Sequence, residues 1–164
     1  MNPGNGGWLI FLTLVLAVLL AIAHLPHWLP GWTGWLRPAW VVSVLFFWTI
    51  HAPHRLGLIA LWLFGLLLDV LLSEPLGLNG VMLALVAFIG WQLYERLRMY
   101  SLVQHALMLF VLVVIAELWR ALVLHWTLGV PLSAGLLVTP FISALCWPLV
   151  YGALARVTRT IAVD

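Results

Sequence analysis

The chain has 164 residues, of which 65% are hydrophobic and only 7% charged, with five acids, seven arginines, no lysine and a net charge of +2. A water-soluble domain carries about 25% charged residues to cover its surface, so this composition excludes an ordinary soluble globule and leaves lipid as the solvent for most of the chain. Arg37, Arg55, Arg96, Arg98, Arg120, Arg156 and Arg159 are scattered between apolar runs, which argues against a nucleic-acid partner.

A spanning helix needs about 20 apolar residues, because a rise of about 1.5 Å per residue must cover about 30 Å of hydrocarbon. The first expected helix covers residues 8–25 and ends at Pro26. Residues 8–20 resemble the apolar core of a signal peptide, and Ala21-Ile22-Ala23 resembles its cleavage site. The preceding residues carry no Lys or Arg and the apolar stretch is long enough to span, so an uncleaved helix is expected. A loop rich in Trp, Pro and Gly follows, up to Arg37. Pro38 then suits the first turn of a second, short helix over residues 38–52, since its missing N–H is an orphan position anyway.

Pro53, His54 and Arg55 make the next turn, and a third helix covers residues 56–72 with Asp69 inside it. Ser73-Glu74-Pro75 is a turn. The fourth helix, residues 76–94, has Glu95, Arg96 and Arg98 at its end, and the fifth, residues 102–126, contains Glu117 and Arg120. Gly129 and Pro131 break the fifth, and the sixth covers residues 132–155, leaving a short tail with Arg156 and Arg159. The expected architecture is an all-α polytopic membrane protein: one domain over residues 1–164, built from six transmembrane helices.

Arginine placement orients it. With a cytoplasmic N-terminus, the inner loops and tail hold Arg55, Arg96, Arg98, Arg156 and Arg159, whereas the outer loops hold Arg37 alone. Both termini are therefore expected in the cytoplasm. Trp28, Trp32, Trp35, Trp40, Trp91 and Trp126 fall near the water interfaces of this frame. Small residues let helix backbones approach closely in lipid, and Gly80, Ala84 and Ala87 on the fourth helix and Gly57 and Gly65 on the third mark expected packing faces.

Three formal charges lie inside expected spans, and each costs about 2.5–3.5 kcal/mol at a helix centre. The 14 residues of Leu, Ile, Val or Phe in the fifth helix gain roughly 4–8 kcal/mol, against roughly 5–7 kcal/mol for Glu117 plus Arg120. These groups must sit near an interface or be paired. One reading pairs Glu117 with Arg120, three apart on one helical face. The other gathers Asp69, Glu117, Arg120, Arg37 and Glu74 into an inter-helix cluster on the outer side, either locking the bundle or facing a partner.

No metal or cofactor is expected. The pairs His24/His27 and His51/His54 enclose prolines and fall on opposite sides of the bilayer, and Cys146 is the lone cysteine. His105 and His125 are expected as interfacial side chains. There is no phosphate loop, nucleophile elbow or zinc-protease motif, so an enzyme is not expected.

Arg37-Pro38-Ala39-Trp40, then Pro53-His54-Arg55, then Gly65 to Asp69 and Leu76-Gly77, then Trp147-Pro148 before a basic end together resemble the rod shape-determining protein MreD family, in its proteobacterial type. Pro38, Pro53, His54, Arg55, Asp69, Gly77 and Arg37 are the matching positions. The resemblance implies a non-catalytic subunit of the bacterial cell-elongation machinery in the inner membrane. It implies association with an MreC-like protein with one membrane anchor, and through it with MreB-like actin filaments and the glycosyltransferase and transpeptidase of lateral peptidoglycan synthesis. It also implies a fold similar to the membrane substrate-binding subunits of energy-coupling-factor transporters. A small-molecule-binding transport subunit is therefore the rival reading, and an intramembrane enzyme using Asp69 and Glu117 ranks last.

Overall fold

A computed structural model of the chain describes residues 5–22, 38–131 and 134–162. They form six α-helices: α1 (Asn5–Ile22), α2 (Trp40–His51), α3 (Leu58–Leu72), α4 (Leu78–Leu97), α5 (Leu102–Leu128) and α6 (Val138–Ala162). Short 3-10 turns, Pro53–Arg55 and Ala134–Leu137, precede α3 and α6.

The bundle is organised around its shortest helix. Every residue of α2 from Val41 to Ile50 is buried, because α1, α4, α5 and α6 all pack against it. A helix apolar on all sides satisfies burial only when it is enclosed, and WVVSVLFFWTIH has no polar stripe to show to water. Protein rather than lipid surrounds α2, so bilayer thickness does not set its length. Its 12 residues reach only about 18 Å. Phe46, Phe47 and Trp48 on α2 and Trp147 on α6 are the bulky centre of the core. Among the described residues, α4, α5 and the segment Gly135–Arg159 are long and apolar enough to cross a membrane, while α1, α2 and α3 are shorter apolar helices.

Several boundaries differ from expectation for local reasons. Pro38 lies before α2 rather than in its first turn: Ala39 is the N-cap, its amide donating to Ser143 Oγ on α6 at 2.8 Å. Leu56 and Gly57 are extended, so α3 begins at Leu58 rather than 56. Gly77 has a φ of 94°, a left-handed conformation that suits glycine, and it delays α4 to Leu78. The charges Glu95 and Arg96 do not stop α4; they ride on it to Leu97. Helix α6 starts at Val138 rather than 132 and continues to Ala162, with Pro148 inside it, so Arg156 and Arg159 stand on helix rather than in a tail. The expected end of the first helix at 25, the Trp-rich loop with Arg37, and the pair His24/His27 lie outside the described residues.

Of the expected small-residue contacts, Gly65 meets Gly80 so closely that a Cβ on Gly65 would stand 2.3 Å from the Gly80 Cα. Gly57 makes no such approach. Buried Trp48 donates from Nε1 to Thr13 Oγ1 at 2.8 Å, tying α2 to α1. His105 is not interfacial, as its side chain is 5% exposed; its Nε2 bonds the Leu97 carbonyl at 2.7 Å and so joins the start of α5 to the end of α4. His125 is exposed and bonds the Val130 carbonyl.

Candidate functional site

The turn between α3 and α4 concentrates the polar chemistry of the described residues. Helix α3 ends with Ser73 in a left-handed conformation (φ 55°, ψ 39°), and the amides of Ser73 and Glu74 return to the carbonyls of Val70 and Asp69. This is the usual way a helix end satisfies its orphan carbonyls while the chain reverses. Helix α4 then starts at Leu78, and its N-cap, Gly77, has no side chain with which to cap it.

Asp69 supplies the missing cap from the preceding helix. Its carboxylate accepts from the Gly77 amide at 2.7 Å, the Asn79 amide at 2.8 Å and the Asn79 Nδ2 at 2.8 Å. A fully buried carboxylate is tolerable here because three N–H donors and the positive end of α4 compensate its charge. The role is local and structural in the first instance, since Asp69 holds α3 and α4 in register beside the Gly65–Gly80 contact.

Asn79 extends the network. Its Nδ2 also donates to Glu74 Oε2 at 2.8 Å, and the other Glu74 oxygen pairs with Arg120 from α5. Asp69, Asn79, Glu74 and Arg120 thus form one chain of contacts across α3, the turn, α4 and α5. Trp119 adds a second tie by donating to the Leu78 carbonyl at 3.2 Å. Arg120 is therefore Glu74's partner rather than Glu117's, and it reaches Asp69 only through Glu74 and Asn79. An Asn three residues into a predicted helix was the signal for Asn79, a polar group that must find a partner in lipid, but spacing alone does not show that Asp69 is that partner.

Beside this network lies a cavity of about 460 Å³. Pro38, Ala39 and the first turn of α2 form one wall. Leu68, Met82 and Leu124 give it an apolar lining, and Asn79, Glu117, Arg120 and Thr139 bring polar groups to it. Among the described residues the Glu117 carboxylate makes no hydrogen bond or salt bridge, in contrast to Asp69 and Glu74. An acid facing a partly apolar cavity with open acceptor positions is suited to receive a donor from outside the chain.

The other arginines among the described residues stand at the other end of the molecule. Helices α2, α4 and α6 run in the same direction, as ring contacts between His54 and Tyr94 and between Phe47, His51 and Tyr151 show. Their C-terminal ends carry Arg55, Arg96, Arg98, Arg156 and Arg159, all exposed. Pro53 is buried in that turn and His54 exposed. Among the described residues no group of three or more His, Cys, Asp or Glu could hold a metal ion. The site has no activated nucleophile, and its carboxylates other than Glu117 are committed to structure.

The family model described as rod shape-determining protein MreD matches residues 4–157. A curated relative, rod shape-determining protein MreD of Haemophilus influenzae, is 28% identical over 159 residues, covering 92% of this chain and 93% of the relative. No solved structure matches the chain. The match from residue 4 to residue 157, through all six helices and the polar turn, shows that the chain belongs to the rod shape-determining protein MreD family.

Proposed function

We propose that this rod shape-determining membrane protein is a non-catalytic inner-membrane subunit of the cell-elongation complex, with both termini in the cytoplasm. It holds an MreC-like single-anchor protein and so supports lateral peptidoglycan synthesis. The observation that carries the reading is the cavity at the start of α2 with the open Glu117 carboxylate on its wall. A partner segment can seat apolar side chains among Leu68, Met82 and Leu124 and donate to Glu117. The Asp69–Asn79–Glu74–Arg120 chain keeps the cavity wall rigid, as a recognition site requires of its supporting residues. The actin-like filament and the glycosyltransferase–transpeptidase pair are reached indirectly, through that partner.

The test is purification of the chain in mild detergent with mass spectrometry of what accompanies it. An MreC-like protein is expected in the wild-type sample and reduced with Glu117→Lys; recovery unaffected by that change overturns the placement. Depletion in a rod-shaped bacterium is expected to give rounded cells, and cells that remain rods overturn the function. The second reading, a small-molecule-binding transport subunit resembling those of energy-coupling-factor systems, draws on the same cavity, whose volume is in the range of about 300–1,000 Å³ typical of ligand pockets. A stoichiometric vitamin or lipid precursor in the purified sample, with no protein partner, selects it.

A further inference from the structure

The five arginines at the C-terminal ends of α2, α4 and α6 face a single described acid there, Glu95, whereas the opposite end carries Asp69, Glu74 and Glu117 against Arg120. Arg55, Arg96, Arg98, Arg156 and Arg159 are all exposed, and they stand on three different helix ends. The turn after Arg98 and the first turn of α5 also expose apolar side chains: Met99 is 81% exposed and Val103 78%. Tyr100 beside them is exposed too. Alternation of exposed guanidinium and apolar groups is the pattern of a surface half in the headgroup layer, with the apolar side chains dipping toward the acyl boundary. A docking face for a soluble acidic protein would leave Met99 and Val103 in water.

Helix length agrees. The 25 residues of α6 reach about 37 Å, beyond the roughly 30 Å of hydrocarbon, so a span of this length carries Arg159 past the acyl chains toward the phosphates. A guanidinium there can bind a phosphodiester through two parallel N–H···O bonds.

We infer that this end of the bundle is an anionic-phospholipid binding rim, at which Arg55, Arg96, Arg98 and Arg159 select lipids with a net negative headgroup over zwitterionic ones.

The test is electron paramagnetic resonance of spin-labelled lipids around the full-length chain in phosphatidylcholine bilayers. A basic residue near the surface is worth about a fivefold preference for a negative lipid. Spin-labelled phosphatidylglycerol is therefore expected to associate at least about fivefold more strongly than spin-labelled phosphatidylcholine in low salt. The preference is expected to shrink in high salt. The fourfold change Arg55→Gln, Arg96→Gln, Arg98→Gln and Arg159→Gln is expected to bring the ratio down toward unity, and the same four positions changed to Lys to keep most of it. Circular dichroism checks that both variants remain helical. Equal association of the two lipids with the wild-type chain overturns the inference, as does a preference left undiminished by the four Gln changes. A soluble acidic peptide captured by a chain without lipid preference would likewise overturn it.

Discussion

Gly65→Ala is the sharpest test of how this bundle is held together. The added Cβ would stand 2.3 Å from the Gly80 Cα, 2.4 Å from the Gly80 nitrogen and 2.7 Å from the Asn79 carbonyl carbon. All three are backbone atoms of α4, so no side chain can swing aside. An ordinary contact requires α3 and α4 to separate by about 1 Å, and such overpacking costs about 1–3 kcal/mol. Separation has a second cost, because Asp69 lies four residues further along α3 and bonds Asn79, the neighbour of Gly80, at 2.8 Å. Lengthening those bonds forfeits part of the contribution of about 1.5–3 kcal/mol that hydrogen bonds to a charged group make. The expected loss is about 2–5 kcal/mol, read as a lowered unfolding midpoint in detergent-denaturant titration. Gly57→Ala is the internal control: the new Cβ there would meet the Ala60 Cβ at 3.6 Å, an ordinary contact. Its midpoint is expected to stay within about 0.5 kcal/mol of the wild type. Equal midpoints for the two variants would refute the close-approach argument.

Asp69→Asn keeps the shape but replaces one acceptor oxygen with an amine facing N–H donors, so a loss of about 2–4 kcal/mol is expected in the same titration; a loss below about 1 kcal/mol would show that the cap is not needed. A double-mutant cycle on Glu74 and Arg120 is expected to give a coupling of about 1 kcal/mol, since the arginine is partly exposed. The cycle on Asp69 and Arg120, which do not touch, is expected to give less, and a stronger Asp69–Arg120 coupling would contradict the network. Glu117→Gln is expected to leave the midpoint within about 0.5 kcal/mol while lowering recovery of the partner protein; a large stability loss would mean that Glu117 is structural. Trp48→Phe removes the donor to Thr13 and is expected to cost about 1 kcal/mol or more, measured by the same unfolding assay.

Composition and order alone determined the environment and the class of this protein. With 7% charged residues no arrangement could present a water-compatible surface, and where backbone groups must pair internally, apolar runs close to 20 residues long suit helices rather than the shorter strands of a barrel. The order of short motifs from Arg37 to Trp147 was enough to point to the family, because motifs survive in sequence whatever the packing. The tertiary structure decided which polar groups meet. Asp69 and Asn79 are ten residues apart and Glu74 and Arg120 forty-six, and such contacts depend on how α3, α4 and α5 lie against one another. Local spacing favoured Glu117 for Arg120, yet α5 turns the guanidinium toward a glutamate already held by Asn79. Enclosure of α2 is likewise a property of the whole bundle. Its twelve residues look merely too short in sequence, and only their surroundings reveal why lipid thickness does not set their length.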